Sequence, residues 1–364
     1  MKISQVIDTL NQWAPPAYQE SYDNSRLIVG DPNTELTGVL ISLDCIETVV
    51  EEAIRKGCNL IVSHHPIVFK GLKSFTGKDY VERTVIKAIK HDIALFSIHT
   101  NLDNIPSGVN RKIADTIGLT DCKILAPKNQ TLIKLTTYIP SDDTDAVLEA
   151  VHAAGAGQIG NYEHCSFSVE GTGSYRATEG ATPHLGTVGE KHQEKENRVE
   201  VILPSHRQNK VIQALKKAHP YEEVAYDLIT LENTNHEVGA GMIGYLVKPM
   251  PTLDFLQHLK DQFNLSVIKH TTIHTDTIQK VALCGGAGSF LLNTAKASGS
   301  DIFITGDFKY HEFFDAENSI IIADIGHYES EVFTKELIYD HLTEKIPNIA
   351  VNFSEENTNP VNYF

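Results

Sequence analysis

Asn59-Leu60-Ile61-Val62-Ser63-His64-His65-Pro66 is the stretch that decides the fold. Leu60, Ile61 and Val62 form a short apolar run that reads as a buried strand, and Pro66 ends it by removing a backbone donor. Open α/β sheets present their chemistry where strands end. Neighbouring strand residues point to opposite faces, but at a frayed end the backbone can turn and aim both imidazoles at one site. His64 and His65 then read as metal ligands. The competing reading is one hydrogen-bonded buried histidine beside one solvated one.

The same pattern recurs downstream. Val39–Asp44 reads as a strand, followed by a helix through Val49, Val50, Ala53 and Ile54, and then by the strand that carries His64. Val281–Gly286 is likewise followed by a helix through Phe290, Leu291, Ala295 and Ala297, and then by Asp301-Ile302-Phe303-Ile304-Thr305-Gly306-Asp307. Asp44 to His64 spans 20 positions, and so does Gly286 to Gly306. Both read as strand–helix–strand units with parallel strands. Ile93–Ser97 then leads into His99-Thr100-Asn101-Leu102-Asp103, and Ile320–Asp324 leads into His327-Tyr328-Glu329-Ser330-Glu331. Each histidine precedes a carboxylate by four places, which on a helix is one face. Two related α/β halves facing each other across a metal-site cleft are expected.

Between them the texture changes. Leu132–Pro140 alternates like a strand, Asp145–His152 and Gln208–Ala218 read as helices, and 163–176, 198–203 and Val224–Ile229 read as strands. That order predicts a ferredoxin-like α+β module. Lys191–Asn197 is a charged run, read as a solvated loop tip. The expected organisation is therefore 1–126 as the N-terminal half of the core, 127–232 as the insert and 233–364 as the C-terminal half.

Composition bounds the partners. The 364 residues exceed one ordinary core. With 47 acidic and 31 basic residues the formal charge is −16, and no Lys/Arg stripe marks a nucleic-acid footprint. Cys45, Cys58, Cys122, Cys165 and Cys284 are scattered and odd in number, against a disulfide framework and in keeping with a reducing cytoplasm. Ile3, Val6, Ile7, Leu10 and Trp13 form an amphipathic helix rather than a signal peptide. No apolar run reaches the length of a membrane span.

Five N/O donors are the candidate metal ligands: His64, His65, Asp103, His327 and Glu331. Imidazoles with carboxylates and no thiolate suit Zn, Mn, Fe, Co or Ni. Five donors exceed one tetrahedral site and suit two divalent ions per chain, with Glu331 as bridge and catalytic carboxylate. His99 reads equally as a residue that orients Asp103 or as a histidine hydrogen-bonded beside the strand, and Asp44 and Asp307 read as helix caps or outer acceptors rather than ligands. Gly285-Gly286-Ala287-Gly288-Ser289 reads as a tight turn, with an anion cradle as the alternative.

These residues resemble those of the NIF-three-like family, often labelled GTP cyclohydrolase I type 2 homologs. The resemblance rests on Ser63–Pro66, Ser97–Asp103, Thr305-Gly306-Asp307, Gly326–Glu331 and Asn357-Thr358-Asn359-Pro360. His219-Pro220-Tyr221-Glu222-Glu223-Val224-Ala225-Tyr226-Asp227 looks like the closing motif of the PII/CutA-like insert in the family's long bacterial form. The resemblance implies a dinuclear metal centre on the same five residues and a toroidal homohexamer with sites facing an inner cavity. One departure is Arg26 in Tyr22-Asp23-Asn24-Ser25-Arg26-Leu27, where the family carries glycine. Two functions stay open: a metal-dependent hydrolase acting on a nucleotide-like small molecule through metal-activated water, or a non-catalytic metal-binding regulatory hexamer with the insert as sensor or gate.

Overall fold

The computed structural model describes residues 1–364. In chain order its strands are β1 Leu27–Val29, β2 Val39–Ser42, β3 Leu60–Ser63, β4 Ala94–Ser97, β5 Leu119–Lys128, β6 Leu132–Pro140, β7 Phe167–Arg176 and β8 Lys191–Pro204. They continue with β9 Tyr226–Leu231, β10 Asn235–Pro251, β11 Lys269–His270, β12 Thr277–Ala287, β13 Ile302–Gly306, β14 Ile321–Asp324 and β15 Val351–Phe353. The chain forms two compact units, one from Met1–Pro127 with His236–Phe364 and one from Lys128–Asn235. No helix is long and apolar enough to cross a membrane.

The first unit contains two mixed sheets. One has the order β1-β4-β3-β2-β15, and the other β11-β14-β13-β12-β10-β5. In the first, β2, β3 and β4 are parallel, with Val39 opposite Leu60 and Leu60 opposite Ala94. In the second, β12, β13 and β14 are parallel, with Val281 opposite Ile302 and Ile302 opposite Ile321. Every residue of β2, β3, β4, β13 and β14 is buried. That accounts for their unbroken apolar sequence, because both faces of a parallel sheet are covered. Leu40, Ile61 and Leu95 face helices Glu47–Lys56 and Tyr80–Lys90 through Val49, Ala53, Val85 and Ala88. Ile41, Val62 and Phe96 point the other way, into one core shared with Val281, Leu283, Ile304 and Ala323 of the second sheet.

Chain connections place the chemistry. Helix Glu47–Lys56 stops at Gly57, whose φ of +68° is the left-handed exit that glycine takes without strain. The chain then turns back into β3. The histidine and carboxylate segments follow the carboxyl ends of β3, β4, β13 and β14, the edge where open α/β sheets hold ligands. His64 and His65 do not sit on a frayed end as the sequence suggested. Their N–H groups still donate to the Ser42 and Leu43 carbonyls, at 3.2 and 2.9 Å.

The second unit runs β6, helix Thr144–Ala153, β7, β8, helix Gln208–Ala218, β9. Its sheet order is β7-β8-β6-β9, with every neighbouring pair antiparallel. One correction is needed here. Lys191–Asn197 is not a loop tip but the first half of β8, paired residue by residue with β7 from Arg176–Lys191 to Gly171–Glu196. Backbone pairing in a ribbon is indifferent to which side chains it carries, so a charged strand forms once its partner is in place.

The second unit leaves and rejoins the first at adjacent strands, since β5 and β10 are neighbours. At Gly239 an added Cβ would lie 2.1 Å from the Ala126 carbonyl. Replacing residues 128–235 by a short Gly/Ser linker is therefore expected to give a folded, metal-binding core. Circular dichroism with metal analysis checks this; aggregation or lost metal would make the excised segment part of the core.

Candidate metal centre

His64 and His65 follow β3, His99 and Asp103 follow β4, and His327 with Glu331 open and close a one-turn helix after β14. That turn brings His327 Nε2 within 3.1 Å of Glu331 Oε2, the contact expected of an i, i+4 pair. The two sheets thus bring all five sequence candidates into one cluster.

Within it the donors fall into two sets around Glu331. Oε1 faces His64 Nε2 at 3.7 Å, and Asp103 Oδ1 lies 3.6 Å from the same nitrogen. Oε2 faces His65 Nε2 at 2.9 Å and His327 Nε2 at 3.1 Å. His64–Asp103–Glu331 and His65–His327–Glu331 each converge closely enough to hold a metal ion. His64 Nε2 and Asp103 Oδ1 are buried and make no hydrogen bond. Buried polar atoms are almost always satisfied, so two orphans aimed at a third donor fit a cation.

The histidine tautomers are set from behind. His64 Nδ1 lies 2.9 Å from the Ile98 carbonyl, which can only accept, so Nδ1 carries the hydrogen and Nε2 offers its lone pair. Asp44 holds His65 Nδ1 and Asp307 holds His327 Nδ1, both at 2.7 Å. Carboxylate–histidine pairs of this kind orient metal-ligating imidazoles and raise their basicity. Asp44 and Asp307 are thus outer acceptors, as read from the sequence. Asp44 is held in turn by Thr358 at 2.6 Å. Buried Glu52 anchors the tail upstream of Thr358, accepting from Ser354 Oγ and Glu355 N.

His99 takes the second of its two readings. It does not hold Asp103; its Nδ1 pairs with Asp23 Oδ1 at 2.8 Å. Its ring sits edge-on to His64 and His65, with centroids 5.2 and 5.4 Å away, and those three histidines form a third group able to hold a metal. Asp23 is buried and also accepts from Ser25 Oγ, Thr100 N and Thr100 Oγ1. Arg26 leaves this loop intact: its carbonyl accepts from Ser97 N, and its backbone does not adopt the positive φ that would require glycine. The glycine segment is not an anion cradle. Gly285 N donates to Asn110, Gly286 N to Ser330 and Gly288 N to Thr305.

Electrostatics follow from this packing. Burial would lower the His65 pKa, but Asp44 and Glu331 outweigh it and raise it to about 9. For His327 burial is again outweighed, by Asp307 and Glu331, and the group rises to about 11. Burial is the chief force lifting Asp103 to about 6, aided by the Glu331 charge and opposed by His64. Glu331 lies well below the carboxylate range: burial would raise it, but His327, His64 and His65 prevail. Without a cation, protons hold this cluster together, and a metal would take their place.

Asp23 also lies below the carboxylate range, because His99, Thr100 and Ser25 together overcome burial. Asp23→Asn is expected to cost on the order of 2 kcal/mol at neutral pH. A depressed folded-state pKa gives stability that is present above the unfolded value, near 4, and lost as pH falls through the folded one. The gap between wild type and variant should therefore narrow in acid. Urea melts at pH 7 and pH 3 check this; an undiminished gap would mean that the Asp23 charge does not carry the effect.

The sequence pattern of Duf34/NIF3 (NGG1p interacting factor 3) matches residues 1–360. The chain belongs to the Duf34/NIF3 family. Among its relatives is the GTP cyclohydrolase 1 type 2 homolog of Bacillus subtilis (strain 168), 37% identical over 99% of this chain and 98% of that one. A Halalkalibacterium halodurans protein of the same name is 37% identical over the full length of both. Of solved structures, a Bacillus cereus protein related to NIF3 superposes with a TM-score of 0.87 at 35% identity, covering 100% of this chain and 99% of that one. A Staphylococcus aureus protein gives 0.79 at 33%, with the same coverage. Duf34/NIF3 membership thus extends over both units of the chain.

Proposed function

We propose that this Duf34/NIF3 chain is a divalent-metal-dependent hydrolase that holds two ions on His64, His65, Asp103, His327 and Glu331 and acts on a nucleotide-like substrate. The observation that carries the reading is the split of Glu331, with one oxygen toward His64 and Asp103 and the other toward His65 and His327. A carboxylate so placed could serve two ions at once, one through each oxygen. When bound, such a pair lowers the pKa of water and steadies negative charge developing on a substrate.

The chain's own residues supply the rest. Asp44, Asp307 and the Ile98 carbonyl hold three imidazoles with Nε2 turned toward Glu331. Glu331, kept ionised by its three histidine neighbours, stays a carboxylate. The donors open onto a cavity of about 930 Å³ that His65, Asp103, His327 and Glu331 line, which gives a substrate access. That open access favours the enzyme over a closed, purely structural metal site.

The finer organisation belongs to the same proposal. Lys128–Asn235 is an inserted PII/CutA-like module, a sensor or gate in the alternative regulatory reading, the two sheets are related halves flanking the metal cleft, and the chain works as a cytoplasmic toroidal homohexamer. The β-α-β-β-α-β order of the insert supports the first point. The matching parallel triplets support the second.

Zinc-, manganese- and iron-loaded protein incubated with a panel of nucleosides, nucleotides and phosphoesters tests the activity. Turnover lost in Asp103→Asn with the fold retained is expected. No turnover by fully loaded protein would replace the enzyme with the metal-binding regulator.

A further inference from the structure

Resting on the metal-centre reading above, we propose that the cavity takes a planar, uncharged heterocyclic substrate and excludes polyphosphates. Two independent features of the cavity carry this: its charge and its rim.

No lysine or arginine lines the cavity. Glu20, Asp44 and Glu47 line it together with Asp103 and Glu331. Two divalent ions would neutralise four of these five carboxylates and leave no positive surplus to balance a triphosphate. The glycine turn offers no substitute, because the amides of Gly285, Gly286 and Gly288 are already taken by Asn110, Ser330 and Thr305. Recognition of a phosphate chain draws on cations and free amides; here no cationic side chain lines the cavity, and the ions themselves would be spent on the carboxylates that hold them.

The rim has the opposite character. Tyr22, Phe69, Tyr80 and Phe290 line the same cavity and are exposed at 67%, 51%, 56% and 65%. Four large rings left in water around one opening mark a ligand surface. Phe69 is fixed there by an edge-on contact with His99, with centroids 5.7 Å apart, so the rim is tied to the metal cluster. Its loop is braced as well: buried Glu82 accepts from the N–H groups of Thr76, Gly77 and Lys78, just ahead of Tyr80. Aromatic faces of this kind stack flat heterocycles without regard to their charge.

Guanosine and GTP differ only in phosphate, so the pair isolates the charge. Full-length protein, its metal content first measured at two ions per chain, is titrated calorimetrically with each in the same metal-containing buffer. Guanosine should bind saturably, and GTP at least roughly tenfold more weakly, from repulsion in an acidic cleft. Phe69→Ala with Phe290→Ala should weaken guanosine by roughly 5- to 100-fold, the range for loss of base stacking, with metal content unchanged. Phe69→Leu with Phe290→Leu, which keeps apolar bulk without the ring faces, should weaken it as well. Equal or tighter GTP binding, no saturable guanosine binding, or guanosine binding indifferent to both double variants would each overturn the proposal. A metal content below two ions per chain in the wild type would instead strike the metal-centre reading, and is measured before any ligand is added.

Discussion

Glu331→Gln protein is expected to carry one divalent ion per chain or none, and the wild type close to two. The two Glu331 oxygens face different histidines, 3.7 Å from His64 on one side and 2.9 Å from His65 on the other. An amide replaces one oxygen with an NH₂ group that has no lone pair for a metal. Whichever way it turns, one set loses a donor and both lose the negative charge. His65→Ala is the graded control. It removes a donor from the His65–His327 side and leaves His64, Asp103 and Glu331 Oε1 in place, so about one ion should remain. Elemental analysis of protein purified in parallel reads both variants. Unchanged metal in both would remove these residues from the site.

Metal loading should also stabilise the first unit, and strongly. The site packs the carboxylates of Asp103 and Glu331 among the imidazoles of His64, His65 and His327, an arrangement that only a cation or protons can make favourable. A ligand at a thousand times its Kd adds about 4 kcal/mol to the state that binds it. For a unit of this size each kcal/mol is worth on the order of 2 °C. Chelated protein is therefore expected to melt roughly 5–10 °C below protein with saturating zinc. In Glu331→Gln the zinc-induced rise should shrink to a small fraction of that. Calorimetry on the four samples separates a specific site from general metal effects: an equal rise in wild type and Glu331→Gln would place the stabilising ion elsewhere.

The residues meeting at the site were visible in the chain because each sits at a strand end that the sequence announces. His64-His65-Pro66 closes an apolar run, and His327 and Glu331 share a helical face over four positions. What supports them was not visible in the same way. For His99 the sequence offered either Asp103, four positions on, or an unnamed hydrogen-bond partner; the partner is Asp23, 76 positions away. No local period links those two residues; they meet because β1, just after Asp23, pairs antiparallel with β4, just before His99. For Asp44 and Asp307 the sequence offered the role of outer acceptor but not the partner; each reaches its histidine, His65 or His327, from the end of a separate strand.

By itself the sequence determined the α/β class, the repeated strand–helix–strand units with their 20-residue spacing and the identity of the candidate metal donors. Periodicity and strand-end position are local properties that survive without knowledge of what packs where. Tertiary structure alone decided the rest. It decided that charged Lys191–Asn197 is a strand, because an antiparallel partner supplied its backbone hydrogen bonds. It decided that the glycine-rich turn has no amides to spare, because Asn110, Ser330 and Thr305 arrive from other segments to occupy them. It also decided that the two oxygens of Glu331 face different histidines. The reason is common to all three. Each depends on a contact between segments far apart in sequence, and only the stacking of two sheets on one core or the closing of a ribbon brings such segments within reach.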